Sequence, residues 1–249
     1  MKTLAIIDGD SLLYFNMSGD SILSATNALN QRIREICDAV DAERFVMYLT
    51  PERCFRYDIA KTRPYKGNRR KVVKPPMLAA LRAYATDTFG AVTDHYFEAD
   101  DMVAIHRNHT EGGIIAAIDK DVLCQIEGRH WNYRKNEWHE TSKDAARRFL
   151  YLQILTGDSG DNIPGLPGVG LKTAEKMLSE GGHNYGKTVS EAYLKKYGRT
   201  EYVNHFNEQF CLVKIRQRIF GKSKEERLAT PFKVDCLPGF SECDFEIIE

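Results

Sequence analysis

The chain has 249 residues, 43% hydrophobic and 28% charged, with a formal net charge of zero. That is the composition of a globular protein of one large domain or two modest ones, and it argues against a uniformly basic nucleic-acid binder. The six cysteines form no C-x-x-C pair and read as free thiols in a reducing cytosol. No apolar run approaches the roughly 20 residues of a membrane helix, and "MKTLAIIDGDSLLYF" is broken by Asp8 and Asp10 too early for a signal peptide.

In chain order, residues 4–8 form a short apolar run ending on an acid, which reads as a buried strand. Asp20 or Ser21 caps a helix whose Ile22, Ala25, Leu29, Ile33 and Ile36 share one face. Residues 45–50 read as a second strand. The stretch "KTRPYKGNRRKVVK" then carries Lys61, Arg63, Lys66, Arg69, Arg70, Lys71 and Lys74 and no acid, so the zero net charge hides a basic strip. Pro75 and Pro76 open another helix. "AVTDHYF" is a third strand, "EADDMVAIHRNH" a helix whose first-turn acids suit its dipole, and residues 113–119 a fourth strand ending on an acid. This alternation predicts a mainly parallel sheet.

The pattern then changes. "RHWNYRKNEWHET" predicts a hairpin around a Lys135–Asn136 turn, packed by Trp131 and Trp138. From Ser142 the chain reads as mostly helix, and "TPFKVDCLPGFSECDFEIIE" as an extended tail packed on the core. The expected division is an α/β core over residues 1–150 and a helical part with the tail over 151–249.

In an open parallel sheet, ligands gather beyond the carboxyl ends of the strands. Asp8 and Asp119 each end an apolar run, Asp121 follows two residues on, and Glu98, Asp100 and Asp101 open a helix directly after a strand. Asp158 and Asp161 of "GDSGDN" extend the set. Any one of these acids reads equally well as a helix cap or a solvated loop residue. Together they cannot share a site unless something neutralises them. Hard divalent cations do so, and two ions about 4 Å apart would activate a water and stabilise the leaving oxygen of a phosphodiester.

"GLPGVGLKTAEKML" predicts a helix–hairpin–helix. Gly168 and Gly170 allow a tight turn and close approach of a phosphate, amides at the next helix start donate to it, and Lys172 adds charge. Such a contact reads backbone rather than base sequence. The alternative is a plain Pro/Gly-rich connector.

"EADDM", "DKD", "YKGNR" and "GDSGDNIPGLPGVGLKTA" resemble the 5′-nuclease superfamily of flap endonucleases, phage 5′–3′ exonucleases and the exonuclease domain of bacterial DNA polymerase I. The resemblance covers most of the chain. It implies a PIN-like α/β fold, a mainly parallel sheet with flanking helices, plus a helix–three-turn–helix subdomain. It implies Asp8, Glu98, Asp100, Asp101 and Asp119 around a first metal region and Asp119, Asp121, Asp158 and Asp161 nearer a second, with Mg²⁺ in both and Mn²⁺ able to substitute. It implies an arch or clamp at about residues 61–76, where Lys66 and Arg69 face the phosphate and Lys61, Arg63 and Arg70 lie along the DNA path. Tyr14 is similar to an aromatic that stacks near the cleaved nucleotide, with a core tyrosine as the alternative. The hairpin would bind DNA through Gly168, Val169, Gly170, Leu171, Lys172 and Thr173, and potassium through the carbonyls of Leu155, Thr156, Pro164, Leu166 and Val169.

Family members usually carry another aspartate just after the second strand, where this chain reads "YLTPERCF". Either Glu52 substitutes near Thr50, or the first metal region has one ligand fewer. The implied activity is a Mg²⁺-dependent 5′–3′ exonuclease or flap endonuclease of replication or repair. It would act as a cytoplasmic monomer, in a bacterium or a phage's host, on duplex DNA with a 5′ flap or end or on an RNA–DNA hybrid, and it would not engage membrane. A haloacid-dehalogenase-type phosphatase, with Asp8 as nucleophile and Asp10 as acid/base, leaves "EADD", "YKGNR" and the hairpin unexplained. A non-catalytic or weakly catalytic DNA binder leaves the convergent acids without purpose.

Overall fold

The computed structural model describes residues 3–15, 21–69, 72–218 and 228–238. Strand β1 (Thr3–Asp8) leads into α1 (Gly9–Phe15), and α2 (Ile22–Ala39) into β2 (Ala42–Leu49). Helices α3 (Arg56–Ile59) and α4 (Pro76–Phe89) precede β3 (Val92–Thr93), and α5 (Ala99–Arg107) precedes β4 (Gly113–Ala116) and α6 (Lys120–Gln125). A hairpin of β5 (Gly128–Asn132) and β6 (Glu137–Thr141) is followed by α7 (Lys143–Thr156), α8 (Leu171–Glu180), α9 (Tyr185–Val213) and β7 (Phe232–Lys233). No helix among the described residues is long and apolar enough to cross a membrane.

Among the described residues the strands form one seven-stranded sheet, in the order β3-β2-β1-β4-β5-β6 with β7 against β2. The sheet is mostly parallel: Ile6 of β1 stands opposite Val46 of β2 and Ile115 of β4. The hairpin closes one side antiparallel, with Trp131 opposite Trp138. β1 is buried on both faces because both are covered by helices. Ala5 and Ile7 pack with Leu29 and Ile33 of α2 and Leu81 of α4, while Ile6 packs with Met102 and Val103 of α5. A third apolar cluster, including Ile154, Ala174, Leu178 and Tyr193, holds α7, α8 and α9 together.

Local chemistry accounts for most boundaries. Ser21 caps α2 by accepting from Ser24 N, and Ser142 caps α7 by accepting from Ala145 N. The expected strand at "AVTDHYF" shrinks to Val92–Thr93 because Asp94 accepts from Tyr96 N and Phe97 N, at 2.7 and 2.8 Å, and turns the chain. The expected division after residue 150 falls inside α7, which packs against α6 as well as α8 and α9. Of the expected tail, the described residues return to the sheet, with Phe232 paired to Phe45 of β2 and Ala229 buried, and residues 239–249 lie outside the described residues.

Candidate metal and nucleic-acid site

The carboxyl ends of β1, β2 and β4 open onto one cleft of about 740 Å³. Asp8, Glu98, Asp100, Asp119, Asp121, Asp158 and Asp161 line it, together with Tyr14, Lys66 and Arg69. β1 ends on Asp8 and α5 begins just past Glu98. Asp119 caps α6 by accepting from Asp121 N at 2.7 Å. Tyr14 is 50% exposed, so it is a cleft residue rather than a core one.

The acids divide by how their charge is met. Asp8 is 2% exposed; Ser11 Oγ donates to its Oδ2 at 3.0 Å, while Oδ1 has no hydrogen-bond partner. Burial, reinforced by the charges of Asp10 and Asp119, pushes Asp8 up to about 7. Burial and Asp119 likewise push Asp121 up to about 7, and burial with Asp8 and Asp119 raises Asp100 well above the usual carboxylate range. Burial also raises Asp161, although Lys66 and Arg69 oppose it. At Glu98 burial works upward, but Arg56 and Lys66 outweigh it and hold the group below its ordinary value.

The cations are equally committed. Lys66 adopts a left-handed backbone (φ 51°), and its amide donates to Asp161 O at 2.9 Å. Its Nζ lies 2.6 Å from Glu98 Oε1 and 3.8 Å from Asp161 Oδ2. The Tyr65 hydroxyl is 2.8 Å from both Glu98 Oε2 and Asp161 Oδ2. Arg69 pairs with Asp161 Oδ1 at 2.6 Å and donates to Gly160 O at 3.0 Å. Glu208 of α9 accepts from Lys61 N, Thr62 N and Thr62 Oγ, anchoring the start of the strip. Lys61 and Arg63 are exposed, and Arg70 lies outside the described residues.

One expectation is corrected, and one of the two alternatives at the end of β2 is disfavoured. Asp101 does not face the cleft. It is fully buried, takes both terminal nitrogens of Arg56 at 2.6 and 2.8 Å, and accepts from Glu98 N and Arg216 N. One residue on from Asp100, it is turned about 100° around α5, toward Arg56 instead of the cleft. Glu52 is exposed and lies off the cleft, whereas Thr50 lines it. The sequence reading also missed Arg56 and left Asp10 out of the nuclease ligand set, giving it a role only in the phosphatase alternative. Arg56 is buried and additionally donates to Leu212 O and Lys214 O, and nothing in "CFRY" announces it. Asp10 lines the cleft as well, and its place two residues beyond Asp8 was the available signal.

Whether these residues suit a metal can be judged from the acids themselves. Asp8 Oδ1 is a buried oxygen without a donor, and the fold raises Asp8, Asp100 and Asp121 instead of compensating them. That is an all-oxygen set awaiting positive charge. No three acids, histidines or cysteines among the described residues converge as a ready cage. The all-oxygen chemistry of the acids lining the cleft suits a hard ion, which takes few protein carboxylates and keeps waters of its own.

The loop between α7 and α8 contains two kinds of glycine. Gly157 and Gly165 have φ of 71° and 67° and pack backbone to backbone; a Cβ on Gly157 would lie 2.2 Å from Ile163 O. Gly168 (φ 87°) and Gly170 face open space and lead to exposed Leu171, Lys172 and Thr173 at the start of α8. Val169 and Pro164 are half-buried in the same loop. Leu155 O already accepts from Leu166 N at 2.8 Å, and Leu166 O from Val169 N at 3.1 Å, next to Thr156 at the end of α7.

No family model matches the chain. It is 28% identical to a 5′-3′ exonuclease of Aquifex aeolicus, over all of this chain and 86% of that protein. It is 26% identical to the flap endonuclease Xni of Shewanella woodyi, over 72% of this chain and 77% of that one. Over most of its length the chain is similar to 5′-nucleases. Against DNA polymerase I of Deinococcus radiodurans, identity is 26% over 80% of this chain, which spans only 22% of the polymerase's length. A similar fold is seen in the phage T5 D15 protein co-crystallised with metal ions, at a TM-score of 0.60 and 20% identity, covering 85% of this chain and 86% of that one.

Proposed function

We propose that the chain is a divalent-metal-dependent, structure-specific 5′-nuclease hydrolysing DNA phosphodiesters. The observation that carries this reading is the cleft itself, where buried, uncompensated carboxylates from three elements meet Lys66 and Arg69. Asp8, Asp100, Asp119, Asp121 and Asp158 would hold Mg²⁺, with Mn²⁺ as a substitute, and the ions would supply Lewis acidity to the phosphate and to the attacking water. Lys66 and Arg69 now neutralise Glu98 and Asp161; a scissile phosphate would take over these cations, which then meet the charge growing on its oxygens. Water adds to phosphorus and the bond to the 3′ oxygen breaks, leaving a 5′-phosphate and a 3′-hydroxyl. Tyr14, exposed in the cleft, offers a stacking face to the terminal base. The amides at the start of α8, with Gly168, Gly170 and Lys172, receive the duplex backbone, and potassium at the neighbouring carbonyls would stiffen that loop.

The names of the relatives support both exonuclease and flap endonuclease action, with a role in replication or repair. The test uses a 5′-end-labelled flap and a matching blunt duplex, incubated with Mg²⁺ and then with EDTA. Mg²⁺-dependent products cut near the flap junction are expected, and their ratio to single-nucleotide products gives the preference. Binding without cleavage in Mg²⁺ and in Mn²⁺ would sink the reading.

A further inference from the structure

Asp10 lies outside the expected ligand set, yet its carboxylate is held in the cleft by a dedicated network. Thr50 N donates to Asp10 Oδ2 at 2.9 Å, and Arg82 of α4 donates to Oδ1 at 2.7 Å. The same guanidinium donates to Thr50 O at 2.7 Å, and Thr50 Oγ accepts from Ala99 N at 3.0 Å. Asp8 stands opposite Tyr48 in the sheet register, so Thr50, two residues further along, lies at the same edge. Asp10 is thereby fixed against the end of β2, beside the start of α5.

An independent observation points to a ligand. Asp8 is 2% exposed and lines the same cleft, and its Oδ1 has no donor from the protein. A buried carboxylate oxygen left without a partner is costly unless something outside the chain meets it. A second carboxylate two residues away makes that partner a cation. We propose that Asp8 and Asp10 jointly hold one divalent cation, with Arg82 and Thr50 as positioning residues that turn Asp10 toward it. Two carboxylates suffice for a hard ion that retains its waters. The proposal gives the ligand shell at the β2 end a carboxylate carried by α1, where Thr50 itself has none. It deepens the nuclease reading and rests on it only for the identity of the ion.

The test is Mn²⁺ titrated into the metal-free protein without DNA, followed by calorimetry and by the signal of free Mn²⁺ in electron paramagnetic resonance. Asp10→Asn should weaken the tightest Mn²⁺ site at least about tenfold. Asp10→Asn combined with Thr50→Asp should restore most of the affinity, because the new carboxylate starts from the residue whose amide Asp10 now occupies. Unchanged Mn²⁺ affinity in Asp10→Asn, with a lowered melting temperature, would overturn the proposal and leave Asp10 as the structural partner of Arg82. If Asp10→Asn does not fold, Asp10→Glu keeps the charge but moves it; Mn²⁺ affinity equal to that of the unaltered protein would then count against the pair. Cleavage is scored separately. An unaltered protein that binds Mn²⁺ but cuts no flap defeats the nuclease reading and leaves the Asp8–Asp10 pair standing.

Discussion

Asp100 and Asp101 are neighbours in the chain and sit in opposite electrical surroundings on the two sides of α5. Behind the helix, Asp101 is matched atom for atom by Arg56, whose other donors tie down Leu212 O and Lys214 O at the end of α9. In front, Asp100 is raised by its own burial and by Asp8 and Asp119, and the nearby Lys66 is engaged with Glu98. Where a buried charge serves the fold, the fold supplies the counter-charge. At Asp8, Asp100 and Asp121 in the cleft no such partner is supplied, although Glu98 and Asp161 beside them are met by Arg56, Lys66 and Arg69.

The sharpest way to break this contrast is on the cleft side. Asp121→Ala should reduce cleavage by about 10³-fold or more while duplex binding changes little; full activity in a gel assay would remove Asp121 from the site. On the structural side, Asp101→Ala strips buried Arg56 of its bidentate partner, leaving Glu98 at 3.0 Å as its carboxylate contact, and should cost about 3 kcal/mol in urea denaturation. Asp100→Asn should act with the opposite sign, stabilising the metal-free protein at neutral pH. If the two variants shifted stability in the same direction, the division of labour across α5 would fail.

A smaller effect follows from pH. Asp8 and Asp121 titrate near 7 in the fold against an ordinary value of 3.8. Between about pH 4 and 7 the folded protein therefore keeps protons that the unfolded chain has lost, and its stability falls as pH rises. In EDTA the melting temperature should drop from pH 5 to pH 8, by an amount equivalent to roughly 2–4 kcal/mol. Added Mg²⁺ should recover it at pH 8 and hardly at all at pH 5; a flat profile in EDTA would mean that these acids are compensated after all. The smallest effect belongs to Lys172→Ala, which should make the salt dependence of duplex binding shallower by about one counterion. An unchanged slope would take that side chain off the phosphate path.

The strand-end acids were legible because a parallel sheet turns an apolar run ending on Asp into a statement about position, as at Asp8 and Asp119. The cap of α2, narrowed to Asp20 or Ser21, the helical stretch from Ser142 and the Trp131–Trp138 hairpin were legible for equally local reasons. Asp101 was misread because periodicity alone does not say which side of α5 meets a buried arginine from α3, far away in the sequence. Asp10 was left out of the ligand set because its place depends on Thr50 and Arg82, which only tertiary structure brings together. The third strand was overestimated where an aspartate side chain outcompeted the ladder, a contest that β-propensity does not register.

The glycines between α7 and α8 also set how freely this segment can be redesigned. At Gly157 and Gly165 any side chain would collide with neighbouring backbone, at 2.2 and 2.3 Å. A saturation library there should return glycine alone. Gly168 and Gly170 meet nothing within 4 Å of an added Cβ, so the limit at Gly168 is its left-handed backbone and at Gly170 only what must fit against it from outside. Diversity introduced at Gly170 would therefore report on the docking partner, while diversity at Gly157 would report on the integrity of the loop that carries Asp158 and Asp161.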